Sequence, residues 1–203
     1  MRPGAPVTTK SSPWATRCLG AARPGQSRKG PTHPGRPVRS HRGRPASEEP
    51  KVSLDLINDA RQHPENYPPH GNPAGATMTA CARGFDRSPQ LTDAANAHNL
   101  FLKDQSRDWA VSGDNMHRGP SGKLVWESGE PMDQAGYRTW RAENVAVGFP
   151  TAEEALRFWM QDDERFGWGH RNAILRSETQ EAGLGHHEGG PWGHYWTLDM
   201  GTK

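Results

Sequence analysis

Ala182-Gly183-Leu184-Gly185 and His194-Tyr195-Trp196-Thr197-Leu198-Asp199-Met200, on either side of Gly189-Gly190-Pro191, decide the fold class. Short runs with aromatic and β-branched residues flanking a Gly/Pro turn predict an antiparallel hairpin. Upstream the periods are helical. Ser88 offers a cap and Pro89 a first helical residue, and Leu91, Ala94, Ala95, His98, Phe101 and Leu102 recur at three-and-four spacing, predicting a helix through about Ala110. Thr151 can cap a second helix while Glu154 reaches back, with Ala152, Ala155, Leu156, Trp159 and Met160 as its apolar stripe and an end near Asp162 or Asp163. Leu54, Ile57 and Ala60/Arg61 after Ser53 predict a shorter helix that Pro64 stops. Residues 68–89, rich in Pro, Gly, Asn and Ser, read as a long loop. No regular βαβ alternation is present, so the class is α+β, with helices packed on an antiparallel sheet.

Outward from this core the composition changes. Residues 1–50 carry ten Lys/Arg against Glu48 and Glu49, a charge of +8, whereas the remainder carries −6. The same segment holds nine of the 18 prolines and only Val7, Trp14, Leu19 and Val38 as branched or aromatic residues. So little apolar surface cannot offset the entropy of ordering a backbone, and residues 1–50 are expected to be a disordered tail ahead of a domain at 51–203. A solvated linker is the plainest role for it. Binding to nucleic acid or an anionic envelope surface through its charge is the alternative, although nothing in it interleaves aromatics for base stacking. No run approaches the roughly 18 apolar residues of a membrane span, and no export signal is legible. Cys18 and Cys81 are too few for a disulfide scaffold or a four-sulfur zinc site. Cys81 is expected to be an unpaired thiol whose loop position exposes it to oxidation, unless it meets Cys18.

The common enzyme signatures are missing: no phosphate loop, dinucleotide fingerprint, HExxH pair or nucleophile elbow. What remains is His117 in Asn115-Met116-His117-Arg118-Gly119, Glu143 in Ala142-Glu143-Asn144-Val145-Ala146-Val147-Gly148, and His170 in Gly169-His170-Arg171-Asn172-Ala173-Ile174-Leu175. Each lies in a turn-rich stretch beside a periodic segment, where side chains can converge on a cleft. Spacing alone does not join them.

Their order does. Leu91-Thr92-Asp93-Ala94-Ala95-Asn96-Ala97-His98, Met116-His117, Ala135-Gly136-Tyr137, the Glu143-Asn144 stretch, Phe158-Trp159-Met160, the His170-Arg171 stretch, Gly183-Leu184-Gly185 and Tyr195-Trp196 together resemble the CAP domain over about residues 52–203. That superfamily comprises cysteine-rich secretory, antigen-five and pathogenesis-related-one proteins, and the compact bacterial members are the nearest in pattern. The resemblance implies an α-β-α sandwich with a central cleft of two histidines and two acidic residues that in some members holds a divalent metal. By motif His117 and His170 are the histidines and Glu143 one acid. The other, three residues after Trp159, is Asp162, one methylene shorter than the usual glutamate, so Asp163 or Glu164 could stand in.

Two imidazoles with one or two carboxylates suit zinc or a similar first-row ion. Such a set could run a metal-dependent peptidase or esterase with Glu143 or Asp162 as base. The acid of a Glu-Asn pair can equally brace the cleft through hydrogen bonds. The expected function is therefore a secreted, monomeric binding module for an unidentified protein, peptide or lipid, ahead of the hydrolase. His98, on an apolar helix stripe, is expected to be a core or cleft-wall residue. His186-His187-Glu188 and His194, flanking the hairpin turn, could form a second metal patch or be solvated. Of Trp126, Trp140, Trp159, Trp168, Trp192 and Trp196, most are expected in the core.

Overall fold

Ser88 starts the central helix as its sequence requires: its hydroxyl accepts the Leu91 N–H at 3.3 Å, and Pro89 takes the first helical position. In the computed structural model, which describes residues 49–203, with side chains from Leu54 onward, this helix is one of six. They are α1 (Glu49–Gln62), α2 (Pro89–Lys103), α3 (Arg107–Ala110), α4 (Val125–Ser128), α5 (Ala152–Gln161) and α6 (Gly169–Ile174). The strands are β1 (Asp86–Arg87), β2 (Trp140–Val147), β3 (Glu181–Gly189) and β4 (Gly193–Gly201). The tail expected over residues 1–50 lies outside the described residues, except that α1 already begins at Glu49.

Helix α2 stops short of its expected end. The Asp104 and Gln105 N–H groups bond back only three residues, and Ser106 caps a new helix by accepting the Trp109 N–H at 3.2 Å. A second strong cap inside a periodic run splits it. Helix α5 follows its sequence closely, with Thr151 and Glu154 exchanging reciprocal capping bonds and Asp162 as the C-cap.

The four strands are ordered β1-β3-β4-β2. The β3–β4 hairpin and β2–β4 pairs are antiparallel, as expected, while the two-residue β1 adds a parallel edge. Alternation along the strands makes two buried faces. Tyr195, Thr197, Val145 and Val147 point to the α2 side, where Leu102, Ala110 and Met116 join them. Trp196, Leu198, Met200, Leu184 and Ala146 point to the other side and pack with α1, α5 and α6 through Leu54, Ile57, Leu156, Trp159 and Ile174. The result is an α-β-α sandwich. Gly183 and Gly185 let α2 settle on the sheet, because a Cβ on Gly183 would lie 2.0 Å from the Thr92 nitrogen and one on Gly185 2.6 Å from the Ala95 carbonyl carbon.

Strand β2 corrects the reading of residues 142–148 as turn-rich. Val145, Ala146 and Val147 are buried consecutively because helices cover both faces, and a strand covered on both faces has no polar alternation to announce it. His170 likewise sits on a helix, α6, rather than in a turn.

The segment between α1 and α2 is mostly loop, held by two buried arginines. Arg171 donates to the carbonyls of Thr77 (2.7 Å), Tyr67 (2.6 Å) and Met160 (2.7 Å), and Arg61 to those of Arg83 (3.0 Å), Thr179 (2.7 Å) and Ile174. Cys81 is a free thiol but not an exposed one: it is buried, with Sγ 3.0 Å from the Leu175 carbonyl. Trp159, Trp168 and Trp196 are core residues.

Candidate functional site

Glu143 lies midway along edge strand β2, facing α2, and is fully buried with its carboxylate between two imidazoles. Oε1 accepts from His117 Nδ1 and Oε2 from His98 Nδ1, each at 2.7 Å. His117 is placed by the turn at Asn115–His117 and packs its ring 5.5 Å from Trp126. His98 comes from the buried stripe of α2, and its Nε2 lies 3.3 Å from the Arg118 carbonyl. Both His98 nitrogens therefore face oxygens that can only accept. Burial alone would raise the Glu143 pKa. The His98 charge and the two imidazole hydrogen bonds outweigh it and hold the carboxylate at about 2.

Asp199 faces Glu143 across the β2–β4 pair and is also fully buried. Burial, and then the adjacent Glu143 carboxylate, push its pKa well above the ordinary range. Of these two neighbouring acids Glu143 is thus the stronger and Asp199 the weaker, as two carboxyl groups in one dry place require.

On the other side of β2, Asp163 binds His170. Oδ1 meets His170 Nδ1 at 2.5 Å, while Oδ2 accepts the backbone N–H groups of His170 (2.9 Å) and Arg171 (3.1 Å). Phe158 and Phe166 pack on the imidazole, and Asn144, next to Glu143 but pointing the opposite way, donates to the His170 carbonyl at 3.1 Å. Of the three acidic candidates after Trp159, Asp163 is therefore the one at His170. Asp162, where α5 ends, is exposed and bonds His70 at 2.9 Å, and the Glu164 carboxylate lies against Gly71. The chain must turn after Gln161 to reach α6, and that turn sends Asp162 outward and Asp163 inward.

His117 and His170 thus each give Nδ1 to a buried carboxylate, the pattern that orients an imidazole to ligate a metal through Nε2. Glu143 has each oxygen engaged by an imidazole, and Asp163 has both engaged as well. In both pairs the carboxylate stands behind the imidazole as an orienting group. His98 is the buried core or cleft-wall residue that its place on the stripe predicts, but its pairing with Glu143 was not foreseen, and Asp199 was left out altogether. The signals were there: a polar ring on an apolar stripe, and an acid inside the apolar run Tyr195–Met200.

Two further features lie apart from these pairs. An open groove of about 670 Å³ runs beside the start of β2 and the end of α6, lined among others by Thr77, Thr79, Arg141, Asn172, Arg176 and Glu178. At the end of the hairpin, His186, Glu188 and His194 bring ligand-capable atoms within 4.8 Å of one another and could hold a metal ion.

Comparison with known proteins joins this geometry to a family. The CAP family model, described as the cysteine-rich secretory protein family, matches residues 54–200, the whole sandwich and both His–carboxylate pairs. The chain belongs to the CAP family. Solved structures similar to this chain are of low sequence identity to it. A cysteine-rich secretory protein from Staphylococcus aureus is 18% identical with a TM-score of 0.46, over 81% of this chain and 43% of that one. An outer surface protein of Borrelia burgdorferi is 12% identical with a TM-score of 0.50, over 77% and 94%. The CAP domain of enterococcal PrgA is 15% identical with a TM-score of 0.42, over 78% and 63%. This chain accordingly spans less than half the length of the staphylococcal protein. No curated protein matches it by sequence. Among the described residues no helix is long and apolar enough to cross a membrane.

Proposed function

We propose that this CAP domain is an exported binding module, with its recognition surface along edge strand β2. The observation that carries the reading is the state of Glu143: a carboxylate held at about 2 with both oxygens engaged by imidazoles is a poor general base. To accept a proton it would have to give up a buried ion pair. The same arrangement suits a rigid wall, because fully satisfied buried polar groups hold a single geometry. The adjacent groove counts the Arg141 and Arg176 guanidinium groups, the Glu178 carboxylate and threonine hydroxyls among its lining, and these offer hydrogen-bonding partners to a ligand such as a peptide. Where the cleft holds a divalent ion, zinc above all, His117 and His170 are its ligands, and Glu143 and Asp163 orient them. Such an ion would polarise a bound carbonyl or carboxylate. Export is consistent with the secretory description of the family and with the outer-surface naming of one structural relative.

The test is a hydrolase screen on the full chain, with casein and p-nitrophenyl acetate and with zinc added, against the Glu143→Gln variant. The binding-module reading expects no turnover that depends on Glu143. Turnover lost in the variant would establish the metal-dependent hydrolase instead. Zinc calorimetry on His117→Ala plus His170→Ala tests the cleft ion separately.

A further inference from the structure

The outer end of the hairpin carries chemistry that the β2 cleft does not use. His186 and Glu188 are two residues apart on β3, and His194 on β4 pairs with Glu188, so all three side chains share one face of the sheet. That face is the one away from α2. His186 Nε2 and His194 Nδ1 are 3.2 Å apart, with ring planes within 5° of parallel. Two nitrogens on one tetrahedral ion at 2.0–2.1 Å stand about 3.3 Å from each other, so the pair already has the separation of two ligands of a single ion. A Glu188 oxygen completes the set within 4.8 Å. The His186 ring is also braced. It stacks on Trp196 at 3.8 Å and 16°, and Trp196 Nε1 is itself anchored to the Phe149 carbonyl at 2.8 Å.

We propose that His186, Glu188 and His194 form a binding site for a first-row divalent cation, zinc in the first instance, which ties β3 to β4 at the tip of the hairpin. Two imidazole nitrogens and one carboxylate oxygen suit zinc or copper(II), whereas magnesium and calcium call for oxygen ligands throughout. Without the ion, the facing nitrogens share one N–H···N hydrogen bond. A neutral imidazole carries one N–H, so the donating ring moves that proton to its other nitrogen through solvent, and both facing lone pairs become ligands with no net proton released. Small ring rotations then aim both at the ion. Three protein donors leave one tetrahedral position for water, and the exposed Glu188 can swing onto the ion without moving the core.

The full chain titrated with zinc chloride by calorimetry tests this, alongside His186→Ala, His194→Ala, Glu188→Gln and the cleft variant His117→Ala plus His170→Ala. Loss of a group that only orients a metal ligand costs 10–100-fold in affinity, so each hairpin histidine substitution should weaken one equivalent by at least about tenfold. That equivalent should survive in the cleft variant. Quenching of tryptophan emission by copper(II), expected because His186 lies on Trp196, should be lost with the same two hairpin histidines, and melting in EDTA checks that each variant is folded. A wild-type chain that neither binds zinc nor is quenched by copper overturns the proposal. So does an equivalent that persists undiminished in His186→Ala and His194→Ala. Neither result bears on the cleft, which depends on different histidines.

Discussion

Replacing Glu143 with Gln changes one oxygen to an amide nitrogen between two imidazole donors. The side-chain oxygen can still accept from His98 or His117, but the amide then faces the other ring donor to donor. One charge-assisted hydrogen bond is lost, worth about 1.5–3 kcal/mol, and a buried donor is left unsatisfied at about 1–3 kcal/mol more. The sum agrees with the roughly 3–5 kcal/mol for breaking a buried ion pair from one side. Removing the negative charge opposite Asp199 returns part of this, because that charge helps to push the Asp199 pKa up. The expected net loss at pH 7 is about 3 kcal/mol, or roughly 1.5 M in the urea midpoint for a slope near 2 kcal/mol/M. A second signature lies in the acid limb. Glu143 titrates at about 2 in the folded chain against an ordinary 4.5, so its contribution is complete above 4.5 and is lost as the pH falls toward 2. The Gln variant should lose less stability across that window. Urea unfolding followed by tryptophan emission at pH 7 and at pH 3.5 measures both. A loss under about 1 kcal/mol at pH 7 with an unchanged acid limb would refute the idea that His98 and His117 are bound through this carboxylate.

The other predictions follow from particular contacts. Asp163→Asn breaks a buried bond to His170 and should cost about 3–5 kcal/mol, while Asp162→Asn on the surface should stay within about 0.5 kcal/mol; parallel urea curves distinguish the two acids. Gly183→Ala drives a methyl into the α2 backbone and should cost about 3 kcal/mol or more, read as a fall in Tm. Asp199→Asn should leave the protein as stable as the parent or more so at pH 8. Asp199 has a raised folded pKa, so in the parent it favours unfolding progressively as the pH rises above the ordinary carboxylate range, and the amide removes that slope. Arg171→Met should free residues 63–85, detected as new trypsin or chymotrypsin cleavage within that loop before any global unfolding.

What could be read from the residues depended on whether the signal was local. Ser88-Pro89 and the Thr151–Glu154 box are local chemistry, and both helices start where those residues place them. The hairpin is local as well, its turn and strands being contiguous. Strand β2 was not legible because burial on both faces removes the alternation that marks a strand, and β1 is too short to carry a pattern. The pairing of acids with imidazoles is harder still, because each partner lies on a different element. Asp162 and Asp163 are neighbours of the same charge at the end of one helix, and only the direction of the turn into α6 decides which meets His170. His98 was visible as a polar ring on an apolar stripe, yet that pattern fits any satisfied core histidine. Its role follows only when β2 lies beneath α2 and presents Glu143, which requires Gly183 and Gly185 to admit the helix that closely. The glycines of β3 thus set the distance at which a histidine from α2 reaches a carboxylate on β2. A Cβ at Gly183 should therefore do more than lower stability: by lifting α2 it should lengthen the His98–Glu143 contact and let the Glu143 pKa rise, seen as an acid limb shifted toward neutral pH relative to the parent.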